Sequence, residues 1–155
     1  MNVTFINPFI RAIQDTLSTM AGLEATPGAP SIKEDTTAKG DVTGIIGMAG
    51  PQLTGSLAVC FTEAVIVEIS RRMLGETPQA IDESVTDMVG ELTNIVTGGA
   101  KKLLADDGYD FDMAIPAVVA GKGHTIEHKS SGATLILPFD TEAGPFFMEI
   151  CFVER

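Results

Sequence analysis

Between Asp82 and Leu104 the apolar residues Val85, Met88, Val89, Leu92, Ile95, Val96 and Leu103 recur every three or four positions. That period lines one face of a helix and predicts a long amphipathic element with a core-facing stripe. At about 100° per residue, Asp87, Glu91, Asn94 and Gly98 fall on the opposite, wet face. Glu91 and Asn94, three residues apart, are surface neighbours. Gly98 lies one turn beyond them and Gly90 just before, although a glycine inside a helix costs up to about 1 kcal/mol against a good helix former. Bulk removed beside an acid and an amide marks a surface cleared for close approach by another molecule. The same residues also read as ordinary solvated positions, because E-x-x-N alone is unspecific. Gly99, nearer the core side, reads as close packing against a neighbouring element.

The remaining pattern supplies two more helices and a set of strands. Asn7-Pro8 is a helix start, with Asn capping and Pro at the first helical position. Phe9, Ile10, Ile13, Leu17 and Met20 continue that helix to Gly22. Ala25–Pro30 is a turn or loop, and Ser31–Thr37 a short polar strand. Asp41–Gly50 and Leu53–Phe61 form a hairpin around Gly50-Pro51-Gln52. Thr62 caps a second helix whose buried face is Val65, Ile66, Ile69 and Met73, and Gly75 stops it. Beyond Gly108, strands are expected at Met113–Ala120, Thr125–Lys129, Thr134–Leu137 and Phe146–Val153, with Pro116 marking an edge or a bulge. Helices in blocks and strands joined by short turns predict an α+β fold, with helices packed on a mainly antiparallel β-sheet.

At 155 residues the chain is read as a single domain spanning residues 1–155, large enough to bury a core without disulfides or structural metal. Its net charge of -11 argues against phosphate-backbone binding and against anionic membranes, leaving a protein or a small molecule as the expected partner. Cys60 and Cys151 stand far apart in apolar, strand-like runs, and read as buried reduced thiols. Arg11, Gln14 and Asp15 break the first apolar run, so neither a signal peptide nor a membrane span is expected, and the localisation is read as cytoplasmic.

Other motifs are weaker. His124-Thr125-Ile126-Glu127-His128 matches H-x-x-E-H, but flanking glycines place it outside a helix. On a strand the two imidazoles would lie about 13 Å apart, too far to share one zinc, so no metal site is expected. A partly exposed strand is the alternative. The Gly44–Gly50 run lacks G-x-G-x-x-G and the Walker lysine, and its glycines read as allowances for close strand packing. No G-x-S-x-G surrounds any serine. Met20, Met73 and Met88 read as core.

The helix Asp87-x-x-Gly90-Glu91-Leu92-x-Asn94-x-x-x-Gly98-x-x-Lys101 resembles the CheX branch of the CheC/CheX/FliY phosphatases of bacterial chemotaxis. Asn7-Pro8-Phe9-Ile10, the Gly44–Gly50 and Gly55–Phe61 strands and Pro116–Gly121 are similar to that family in order and spacing, so most of the chain is covered. The CheC branch carries two E-x-x-N motifs. Arg11–Met20 contains no Glu followed three residues later by Asn, and a single motif looks like CheX.

The resemblance implies a CheC-like fold and hydrolysis of the phospho-aspartate of a CheY-type response regulator. The receiver would bring its own Mg2+ and lysine, with no cofactor bound by this chain, so positioning and electrostatics dominate. Asn94 would orient the attacking water, its carboxamide offering donor and acceptor without added negative charge. Glu91 would pair with the receiver's lysine. Gly90 and Gly98 would clear the docking surface, and Asp87 either extends the contact or stays solvated. The resemblance also implies a homodimer joined sheet edge to sheet edge. The rival expectation is a non-catalytic receiver-binding or flagellar-switch-like adaptor module.

Overall fold

The computed structural model describes residues 3–128 and 132–154. Its elements run α1 (Val3–Ala21), β1 (Thr26–Pro27), β2 (Ser31–Ile32), β3 (Val42–Ala49), β4 (Leu53–Phe61), α2 (Glu63–Leu74), α3 (Glu83–Asp106), β5 (Asp112–Met113), β6 (Ala117–Ala120), β7 (Leu135–Thr141) and β8 (Gly144–Glu154). The strands form one antiparallel sheet in the order β1-β7-β8-β4-β3-β5, with β2 also on β7 and β6 also on β3. The three helices cover one face, giving the α+β architecture read from the sequence.

Side-chain alternation assigns the faces. Val42, Ile46 and Met48 on β3, Leu57, Val59 and Phe61 on β4, and Phe146, Met148 and Ile150 on β8 enter the helix-covered core. The intervening Ala58 and Cys60 join Ala38 and Ile126 in a smaller cluster on the outer face. Because β4 is covered on both sides, it reads as a nearly continuous apolar run rather than an alternating one.

The β3–β4 hairpin is formed in full, from Val42 opposite Phe61 to Ala49 opposite Thr54. Gly75 stops α2 at φ 76°, a left-handed conformation that suits glycine, and its amide donates to the Arg71 carbonyl. Thr62 occupies the N-cap of α2 without capping it: its hydroxyl donates to the Pro145 carbonyl, and Asp41 Oδ2 accepts from the Glu63 amide instead.

The first helix departs from expectation. It begins at Val3, so Asn7 is an exposed mid-helix residue and Pro8 lies inside the second turn. Pro8 removes one backbone hydrogen bond there. The compensation is aromatic burial: Phe5, 3 % exposed, packs with ring centroids 5.6 Å from Phe9 and 4.9 Å from Phe152, which a loop before Asn7 would not secure. Met20 is 39 % exposed and is not a core residue.

Two expected strands also change. Met113–Ala120 divides into β5 and β6, since the chain swings out at Ile115, 91 % exposed, ahead of Pro116. Thr125–His128 forms only an isolated bridge, Thr125 to Thr37, and Lys129 lies outside the described residues.

Candidate active site

Helix α3 carries the residues that the resemblance assigns to the site, Asp87, Gly90, Glu91, Asn94 and Gly98. Asp82 caps it, its carboxylate accepting from the Val85 amide at 3.0 Å and the Ser84 hydroxyl at 2.7 Å. The Ser84 hydroxyl, followed by the Val85 amide, lowers the Asp82 pKa by favouring the ionised form. Val85, Met88, Val89, Leu92, Val96, Ala100 and Leu104 are buried, as are Thr93 and Thr97. Ile95 and Leu103, expected in the stripe, are only half-buried at its margin.

Asp87, Glu91 and Asn94 are exposed on the opposite face, as the helical period predicts. None of these three side chains has a hydrogen bond or ion pair to another described residue. A Cβ at Gly98 would meet nothing within 4 Å, and one at Gly90 would only touch Val118 Cγ2 at 3.4 Å. Packing inside the protein therefore demands neither glycine. A Cβ at Gly99 would stand 3.4 Å from Ala12 Cβ, the close approach to α1 that the sequence suggested.

The glycines of the Gly44–Gly50 run do more than let strands pack. A Cβ at Gly44 would fall 1.9 Å from Thr93 Oγ1 on α3, and one at Gly50 would fall 1.9 Å from the Asp110 carbonyl oxygen. No sequence signal marks Thr93 as site-related, because its significance depends on what lies beneath the helix.

The H-x-x-E-H segment is a strap across the outer face of the sheet. His124 bonds Thr43 Oγ1 at 2.6 Å and the Gly121 carbonyl at 2.6 Å. Against the carbonyl its Nδ1 must donate, and in the neutral imidazole Nε2 then accepts from the threonine. His128 instead joins Ser56 Oγ at 2.5 Å and Glu149 Oε1 at 3.1 Å, and Glu149 pairs with Lys33 at 2.6 Å. The Lys33, Glu149 and His128 side chains are at most 5 % exposed, so this end of the strap is buried rather than partly exposed. Burial of Cys60 beside it raises that thiol's pKa. Among the described residues no group of three or more His, Cys, Asp or Glu could hold a metal ion, and no helix is long and apolar enough to cross a membrane.

Three helices on one face of an open antiparallel sheet, with an outward acid and amide on the longest, define a CheC-like α+β protein. A CheC-like protein from Shewanella sp. PV-4 superposes with a TM-score of 0.93 at 59 % identity, covering 99 % of each chain. The profile of the chemotaxis phosphatase CheX matches residues 42–140, and the chain belongs to the CheX family. The CheY-P phosphatase CheX of Thermotoga maritima is 30 % identical over 139 residues, 89 % of this chain and 88 % of that protein. A chain of the CheX–CheY–BeF3–Mg2+ complex from Borrelia burgdorferi aligns with a TM-score of 0.80 at 25 % identity, over 97 % of this chain and 99 % of that one.

Proposed function

We propose that this protein accelerates hydrolysis of the phospho-aspartate of a CheY-type response regulator and so shortens a chemotaxis signal. One observation carries the reading. In a CheX-family chain, Glu91 and Asn94 stand exposed and without partners among the described residues, near a Gly98 at which a Cβ would meet no described atom within 4 Å.

An acyl phosphate is already activated, so the protein's work is placement. The Asn94 carboxamide accepts a hydrogen bond from the attacking water and holds its oxygen in line with the aspartyl oxygen. As the water oxygen bonds to phosphorus the aspartyl–phosphorus bond breaks, releasing carboxylate and inorganic phosphate. Glu91 forms an ion pair with the receiver's lysine and sets the docking register. Mg2+ bound by the receiver, not by this chain, would supply charge neutralisation for the transferring phosphoryl group. With a net charge of -11, this chain has no long-range attraction to an acidic receiver, so local pairing at Glu91 has to set the orientation. Asp87 extends the contact one turn away.

The test is the dephosphorylation rate of a phosphorylated CheY-type receiver with Mg2+, alone, with this protein and with its Asn94→Ala variant. Acceleration that Asn94→Ala reduces by about a hundredfold or more fits a water-orienting amide. Binding without acceleration would make the helix an adaptor surface. We also infer a homodimer formed through the β6 edge.

A further inference from the structure

Gly44 marks where α3 rests on the sheet. A Cβ there would fall 1.9 Å from Thr93 Oγ1, 3.0 Å from Thr93 Cβ and 3.2 Å from Val89 Cγ1. Thr93 has no room to yield. It is fully buried, is branched at Cβ, and its hydroxyl donates to the Val89 carbonyl at 2.7 Å, while its own carbonyl accepts from Thr97 Oγ1 at 2.7 Å. Thr93 directly precedes Asn94, and Val89 and Thr93 bracket Glu91. This close contact between helix and sheet therefore lies at the same level of α3 as the exposed pair.

We propose that Gly44 and Thr93 are positioning residues: their contact sets the height of α3 above the sheet, and with it the depth to which Asn94 enters the receiver's active site. Gly99 against Ala12 bears on the helix sideways and Asp82 on its start, whereas the Gly44 contact bears on its height beneath Thr93. Gly44→Ala requires the helix to rise by about 1 Å, since real Cβ atoms essentially never come within 3.0 Å of a neighbour. A displacement of that size at a water-orienting group lowers turnover on the order of a hundredfold. Glu91 reaches its partner through a flexible side chain, so binding suffers less. The proposal rests on the phosphatase reading and deepens it.

The experiment is a double-mutant cycle on the full chain: wild type, Gly44→Ala, Thr93→Ala and both together. Turnover at saturating protein is read against affinity for a receiver carrying beryllofluoride, and thermal melting reports the folded fraction. Gly44→Ala is expected to lose about a hundredfold in kcat with affinity within a few-fold, and Thr93→Ala in the same chain to restore most of the loss. Gly44→Ala/Thr93→Ser, which keeps the obstructing oxygen, should stay impaired. If Gly44→Ala alone does not fold, the comparison is Thr93→Ala against the double variant. Higher kcat in the double variant, where the new methyl refills the seat, supports the proposal, and equal or lower kcat overturns it. Wild-type kcat in folded Gly44→Ala also overturns it. Loss of the phosphatase reading itself would show separately, as a wild type no faster than Asn94→Ala.

Discussion

At the scale of single residues, two glycines of one site obey opposite physics. Gly44 is required by the protein's own packing, while Gly98 has open space where its Cβ would be. Gly98→Ala should therefore stabilise α3 by about 0.5–1 kcal/mol in urea denaturation. If the gap at Gly98 admits the receiver, the same variant should weaken binding to a beryllofluoride-loaded receiver by tenfold or more. A variant that gains stability and keeps full affinity would return Gly98 to an ordinary surface role. The exposed Asp87, Glu91 and Asn94 were legible in the sequence because they share one helix with a clear apolar period. Gly44 and Thr93 were not, because a strand glycine discloses its neighbour only after helix and sheet have packed. The polar cluster of Lys33, Ser56, His128 and Glu149 was hidden for the same reason, each member coming from a different segment.

Among the elements, local signals succeeded where nothing tertiary opposed them. Asp82 starts α3 and Gly75 ends α2 as their chemistry dictates. Asn7-Pro8 is an equally good start signal, yet burial of Phe5 carries α1 back to Val3. Charged groups on α2 and at the start of α3 also define an acid limb of stability. Arg71, then Arg72, hold Glu68 at about 2 against an ordinary 4.5, and hydrogen bonds lower Asp82 below its ordinary 3.8. Both carboxylates are thus more acidic folded than unfolded. Their stabilisation is fully present above the unfolded values, and is lost as the pH falls from about 4.5 towards 2. Melting temperature should fall across that window. Asp82→Asn, which still offers a capping oxygen but cannot titrate, should flatten the fall while changing the neutral-pH melting temperature little. An unchanged acid limb in this variant would remove Asp82 from the account. Because the Glu68 side chain is only half-buried, added salt should shrink its contribution.

For the molecule as a whole, the sheet's outer face and its free edge separate stability from assembly. The outer face is tied down by Lys33, Glu149 and His128, whose side chains are at most 5 % exposed. Lys33→Met would leave the Glu149 carboxylate buried without its cation, and should cost about 3–5 kcal/mol in urea denaturation, with Glu149→Gln in the same chain recovering part. A loss below about 1 kcal/mol would mean that water replaces the lysine. The sheet's two edges differ in kind. One consists of the two-residue strands β1 and β2, interrupted by prolines, which blunts pairing. At the other, Ala114–Ala120 contains no charged residue, Ile115 and Val119 are 91 % and 42 % exposed, and a cavity of about 890 Å3 lined by Ile45, Met113 and Val153 opens alongside. An uncharged, apolar edge strand is a template for another strand. Pairing β6 with its copy would extend the sheet in its own plane and leave the wet face of α3, which points away from the sheet, open to a receiver on each protomer. Light scattering should accordingly give a dimer for the wild type and a monomer for Val119→Lys, with phosphatase activity per chain retained. A dimer that survives Val119→Lys would shift assembly to another surface, and activity lost together with the dimer would mean that the α3 site depends on the partner after all.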